Sequence, residues 1–340
     1  MTRWLSICAC AAAADALSAQ QDDVKIVEGL GVPRARLRAR WENDSWLSND
    51  DRFYTNGAGL GWTLADGPLA SSIAGGLTWL PLRAPRISGT ATEFSLRQQM
   101  FTPEDIQAPQ LLVDDRPYAG WLYLEMRHQI LALGEDRTHD MLDSWFVQAG
   151  VVGPSSLAED TQTEIHRWVD APRPQGWSNQ LHDEPGLVVG FRRDFRSFHD
   201  VRWPFGLESD FEGHYAAHLG NVDTSLHIGA QVRLGWDLPR HFGTAIDTRQ
   251  RADLVPFYMT AGVSGRNVLR NVFLDGNTFR GSHSVSRNWF VADFHVALYW
   301  EPTSRVRLGV GQVFGTPEFD SPSQDGDLTS YTFVQAELLF

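Results

Sequence analysis

Asn43, Asp44, Asp51, Thr55 and Asn56 crowd into the stretch RARWENDSWLSNDDRFYTNGAGLGWTL, between two runs that alternate apolar and polar residues. A second cluster, DDRPYAGWLYL, holds Asp114, Asp115, Arg116 and Tyr118. A third, TEIHRWVDAPRPQGWSNQLHDEPGL, holds His166, Gln180 and His182. Carboxylate and amide oxygens are the ligands that hard cations take, and a neutral imidazole can remove a proton from water near neutral pH. Each group alone has a plainer reading. Asp and Asn populate turns, and a loop histidine, one of 11 in the chain, is most often a solvated surface group.

Other arrangements carry less. His214 and His218 share one face of a strand, and two ligands without a third make a poor zinc site. GVGQVFG lacks the strand–helix setting of a nucleotide loop. DSPSQDGD breaks the spacing of a calcium-binding EF-hand and reads as an exposed loop. No G-x-S-x-G elbow occurs, which argues against a serine hydrolase of the α/β type.

The elements that would position these residues are strands. About twelve segments of roughly ten residues alternate with period two, the pattern that transmembrane β-barrels leave because lipid-facing and lumen-facing side chains alternate. Leu37, Ala39 and Trp41 fall on one face of the first segment; Arg36, Arg38, Arg40 and Glu42 fall on the other. Ala58, Leu60, Trp62 and Leu64 share a face in the second. The later strands are expected near 91–101, 119–133, 142–153, 185–195, 204–217, 224–236, 255–264, 289–300, 305–314 and 329–340. The last, YTFVQAELLF, ends at Phe340 with Val334, Ala336 and Leu338 on its face. Only closure into a barrel pairs every backbone group of such strands in lipid. The fold expected is therefore all-β: a transmembrane antiparallel barrel of about twelve strands, with one short helix near 158–170 in an outer loop.

Composition agrees. The chain has 340 residues, 42% hydrophobic, with a mean hydropathy of −0.28, and no helical span is indicated. MTRWLSICACAAAADALSAQQDD reads as an export signal covering residues 1–20, leaving 21–340 as one barrel domain. Both cysteines, Cys8 and Cys10, fall inside it, so disulfides, thiolate metal sites and a cysteine nucleophile are excluded from the mature chain. A net charge of −13 argues against a nucleic-acid partner.

Topology gathers the clusters. With the N-terminus on the periplasmic side, 46–52, 102–118, 154–184, 265–288 and 315–328 become outer loops, since long loops face outward. The pieces 65–90 and 237–254 are long for inner turns, and 218–223 is short for an outer one. If the first two strands are regular, parity places Asp44 and Thr55 together on the lumen side.

The combination WENDSW, DDRFYTNG, DDRPYAGW, IHRW and QGWSNQL resembles the LpxR-type lipid A 3′-O-deacylases of the Gram-negative outer membrane, from about Arg36 to Phe340. The resemblance implies a twelve-stranded barrel with a calcium-dependent esterase site between the barrel wall and an outer-loop helix. It implies Asn43 and Asp44 as catalytic residues and Ca2+ ligands, Thr55 as a catalytic or water-positioning residue, and His166 as the general base. Asp51, Arg116, Tyr118 and Gln180 would bind substrate or support the site. Arg116 would brace Asp114 or Asp115, and His182 is a substitute base. The partners implied are lipid A within lipopolysaccharide, outer-membrane lipids, and the barrel-assembly machinery that reads a terminal aromatic such as Phe340. The chain departs from the family in two places: its only lysine is Lys25, where relatives carry a lysine-rich segment before the fourth strand, and Pro172 stands at or near an acidic residue of some relatives. Two rivals stay open, a barrel phospholipase of other specificity and a non-enzymatic porin or structural barrel.

Overall fold

The computed structural model describes residues 32–44, 53–64, 87–134, 140–196, 201–248, 254–320 and 328–340. The expected signal segment and Asp51 lie outside the described residues.

Among the described residues, twelve long strands form the wall: β1 Arg36–Asn43, β2 Phe53–Leu64, β3 Gly89–Thr102, β4 Ala119–Ala132, β5 Met141–Val152, β6 Glu184–Arg196, β7 Glu208–Gly220, β8 Asp223–Trp236, β9 Phe257–Asn271, β10 Phe290–Thr303, β11 Val306–Gly315 and β12 Thr329–Leu339. Each pairs antiparallel with its neighbour in sequence. β12 closes on β1, with Val334 opposite Trp41 and Leu338 opposite Leu37. Closure leaves none of these twelve strands with a free edge, the condition for strands to sit in lipid. β9 runs seven residues past its expected end at 264, to Asn271. The short hairpin between β7 and β8 does turn within Asn221 and Val222.

Parity sorts the wall. Leu37, Leu60, Leu96, Leu124 and Ile228 are exposed on the outside. The lumen side carries arginines matched to carboxylates, as at Arg127 to Glu125 (2.9 Å) and Arg233 to Asp210 (2.7 Å). Such pairing is required because an unmatched buried charge costs several kcal/mol.

Among the described residues, one segment folds into each end of the lumen. At the inner end, residues 237–248 fold against the strands instead of forming a simple turn. Ile246 and Asp247 pair with Val32 and Pro33, and His241 Nε2–H donates to Glu301 while Nδ1 accepts the Gly243 N–H. This explains the length of that inner segment. At the outer end, Phe273 in the single-turn helix α2 (Val272–Asp275; numbered after the longer outer helix α1, Ala158–Val169) stacks on Phe101 at 4.0 Å. Between the ends lies a polar cavity of about 780 Å³.

Candidate active site on the outer wall

Helix α1 starts after a short turn, Pro154–Ser156, and packs on the outside of β3 and β4. Even-numbered β3 residues face outward, with Leu96 exposed among them. Gln98 Nε2 donates to the Ser156 carbonyl at 2.7 Å, and Met100 packs in one buried cluster with Ala158, Tyr118, Ile106 and Trp177. Gly120 on β4 permits this approach. A Cβ there would lie 2.1 Å from Ser156 Oγ and 2.3 Å from the Ala158 Cβ.

The buried residues of α1 are Ala158, Gln162 and His166, spaced four apart and therefore on one face. A helix that buries a glutamine and a histidine against a wall, while Trp168 is 78% exposed, inverts the ordinary sorting. Two contacts orient the polar pair. The Trp177 indole N–H donates to Gln162 Oε1 at 2.8 Å, and the buried Gln162 Nε2 has no partner among the described residues. His166 Nδ1 lies 2.5 Å from the Pro172 carbonyl oxygen. A carbonyl only accepts, so Nδ1 carries the proton and Nε2 holds the basic lone pair. The sequence builds this by stopping the helix: Asp170 takes a left-handed conformation, Ala171 N–H caps the His166 carbonyl, and Pro172 follows. The backbone of Pro172 thus does the orienting.

The ends of β1 and β2 supply the oxygen-rich side. Asn43 Nδ2 and the Asp44 N–H both donate to the Thr55 carbonyl, each at 3.3 Å. Asn43, Asp44 and Thr55 are all buried. The strands are not regular here. Tyr54 pairs with Phe101 and Asn56 with Met100, leaving Thr55 as the extra residue of a β-bulge. Its hydroxyl meets Thr102 Oγ1 at 2.6 Å, and Thr102 shares the outward parity of Met100. The expected lumen-side pairing of Asp44 and Thr55 is therefore corrected. The bulge turns Thr55 to the outer wall, and Asp44 lies past the end of β1, beyond the alternation. Asn43, Asp44, Thr55 and Thr102 offer only hard oxygen donors, and that set fits calcium better than a softer metal.

The remaining expected site residues have other partners. Arg116 is fully buried and donates to Glu318 at 3.0 Å, lying over the Phe101 ring, so it does not brace Asp114 or Asp115. Asp115 accepts instead from the N–H groups of Glu104 and Arg116; burial pushes its carboxyl up, which those two bonds and the Arg116 charge partly offset. Tyr118 donates to the Ile106 carbonyl and stacks near Trp177, holding the loop under α1. Gln180 reaches Glu159, two turns of α1 before His166. His182 carries its backbone hydrogen bonds to Asn277. The sequence reading missed Gln162. Its place four residues before His166 was the available signal, since that spacing puts both on one helical face.

A closed antiparallel barrel with an apolar outer surface defines an integral outer-membrane protein. The chain belongs to the LpxR family: the family described as outer membrane protein LpxR matches residues 5–335. Among solved structures, LpxR from Salmonella typhimurium superposes with a TM-score of 0.71 at 20% identity, covering 90% of this chain and 100% of that one. The β domain of the Bordetella autotransporter BrkA covers 92% of this chain and 100% of its own at 10% identity, with a TM-score of 0.46. No curated protein matches the chain.

Proposed function

We propose that this protein is a calcium-dependent lipid A 3′-O-deacylase, hydrolysing the ester of the 3′ acyloxyacyl chain in the outer leaflet. The observation that carries the reading is the burial of Gln162 and His166 on one face of α1, a helix packed on β3 and β4, within a chain of the LpxR family. Lipid A presents its esters at that depth, so a site on the outside of the cylinder meets substrate without passage through the lumen.

In this reading His166 Nε2 takes the proton of a water as it attacks the ester carbonyl carbon. The Nδ1 bond to Pro172 holds the ring in place, and the resulting imidazolium returns the proton to the departing alkoxide. The Gln162 amide, fixed by Trp177, donates to an oxygen of the reacting ester. Thr55 and Thr102 position water or substrate through their paired hydroxyls. Calcium held by Asp44 and Asn43 would polarise the ester carbonyl and offset the meeting of an acidic protein with an anionic glycolipid. The terminal Phe340, whose N–H pairs with the Ala35 carbonyl and whose side chain is exposed, is the feature the assembly machinery would read.

Mass spectrometry of lipid A and phospholipids from cells expressing the protein tests this. Wild type should remove a 3′ acyl group from lipid A only without chelator, and Asp44→Ala should leave lipid A intact. Loss of phospholipid chains with lipid A unchanged would favour the phospholipase reading. The porin reading predicts no calcium-dependent change in lipid and indifference to His166→Ala.

A further inference from the structure

The outer-wall chemistry leaves unused a second set of donors, which lies inside the barrel. The hairpin of β7 and β8 turns within two residues, and its register places His218 opposite Ser225 and His227 opposite Ala216. His218 and His227 are thus diagonal neighbours on the lumen face, their ring centroids 4.4 Å apart. Asp223 opens β8 on the same face, before a register irregularity at Thr224 and Ser225. Asp223 Oδ2 accepts from His218 Nδ1–H at 2.7 Å and from the Ser225 hydroxyl at 2.9 Å. Ser225 Oγ in turn accepts from His227 Nε2–H at 2.8 Å. One ligand atom from each of His218, Asp223 and His227 lies within 4.8 Å of the other two. The pairing of His214 with His218 weighed from sequence does not form. His214 sits opposite Gly229, in the space that glycine leaves open, and the strand across the turn supplies the second imidazole.

We propose that His218, Asp223 and His227 form a binding site for a divalent transition metal of the zinc class, separate from the hard-cation site on the outer wall. Two imidazoles and one carboxylate are the donor set that zinc and its neighbours take, whereas calcium takes oxygen. Three donors about 2.1 Å from one ion sit roughly 3.5 Å apart in tetrahedral geometry, so rotations of side chains close the observed spacing without moving the ladder. All three line the central cavity beside Gln231 and Asn271, which leaves room for a water as fourth ligand. The nearby Arg266 is matched by Glu318 and Asp293, so its positive charge is compensated. The metal would clip β7 to β8 in a chain whose only cysteines are Cys8 and Cys10.

The test uses the whole barrel, refolded in detergent, stripped with chelator and checked for folding by heat-modifiable gel migration. Cobalt(II) is titrated while ligand-field absorption is read, and zinc is then added. The expected result is one cobalt per chain, displaced by zinc, with affinity at least about tenfold weaker in His227→Ala. His218→Asn, which keeps a hydrogen bond to Asp223 available, should lose affinity by a similar factor, and Asp44→Ala should bind as wild type does. No cobalt spectrum from folded wild type would overturn the proposal. So would unchanged affinity in a folded His218→Ala/His227→Ala double variant, or loss of the spectrum in Asp44→Ala.

Discussion

The inner and outer faces of the same wall solve opposite problems with the same polar residue types. On the lumen side, Arg196 is the centre of a matched network: it reaches Asp140, Glu212 at 2.7 Å and Asp210 at 3.2 Å, and its guanidinium lies over the Phe242 ring. Charge there is met by opposite charge across the strands. Under α1, His166 and Gln162 are buried on one helix face, His166 against the Pro172 carbonyl and Gln162 against the Trp177 indole. Polar groups are buried by pairing charge with charge in one region and by neutral hydrogen bonds in the other.

The largest effect that sharpens this contrast is expected at His166. His166→Ala should slow deacylation about 10²- to 10⁴-fold, the range for losing a general base, while the urea midpoint of the refolded barrel stays put. Activity near the wild-type level would remove the base assignment. Arg196→Ala should do the reverse. Leaving Asp140, Asp210 and Glu212 without their shared cation should cost about 3–5 kcal/mol in equilibrium unfolding, with kcat of the folded fraction retained. A fall in kcat at unchanged stability would break the comparison.

Gly120→Ala tests whether the wall and the helix are coupled. The added methyl meets Ser156 and Ala158, and overpacking of this kind costs about 1–3 kcal/mol. If α1 lifts to relieve it, kcat should fall about tenfold while the barrel's unfolding midpoint hardly moves. A drop in the midpoint with unchanged kcat would place the strain in the wall instead. The smallest effect concerns the outer cap. Burial works to raise the Glu318 carboxyl, but Arg266 and Arg116 outweigh it and hold it below the usual glutamate range. A carboxyl lowered on folding stabilises above its unfolded value, about 4.5, and that contribution is lost as pH falls through its folded value. Limited proteolysis of the outer loops should therefore quicken below about pH 4.5, and Glu318→Gln should flatten that rise.

Much of the fold was legible because period-two alternation is local. Leu37, Ala39 and Trp41 against Arg36, Arg38 and Arg40 already assign two faces, and the matching of lumen arginines to carboxylates follows from the cost of burying either alone. Less of the candidate site was legible. Parity sent Thr55 into the lumen, since nothing in YTNG announces a bulge; the extra residue exists only in relation to Phe101 and Met100 on β3. Arg116 was assigned to its sequence neighbours Asp114 and Asp115, and its partner proved to be Glu318, some two hundred residues away.

The sequence by itself determined a barrel with an acidic, amide-rich outer rim and a histidine-bearing helix in one outer loop, because alternation, helix caps and turn residues act over a few positions. Only the tertiary structure decided that this helix lies on the outside of β3 and β4, that Gln162 shares the buried face of His166, and that His227 rather than His214 meets His218. Those outcomes depend on which distant backbones pair and how closely they approach, and such pairing is set by packing across the whole closed ladder.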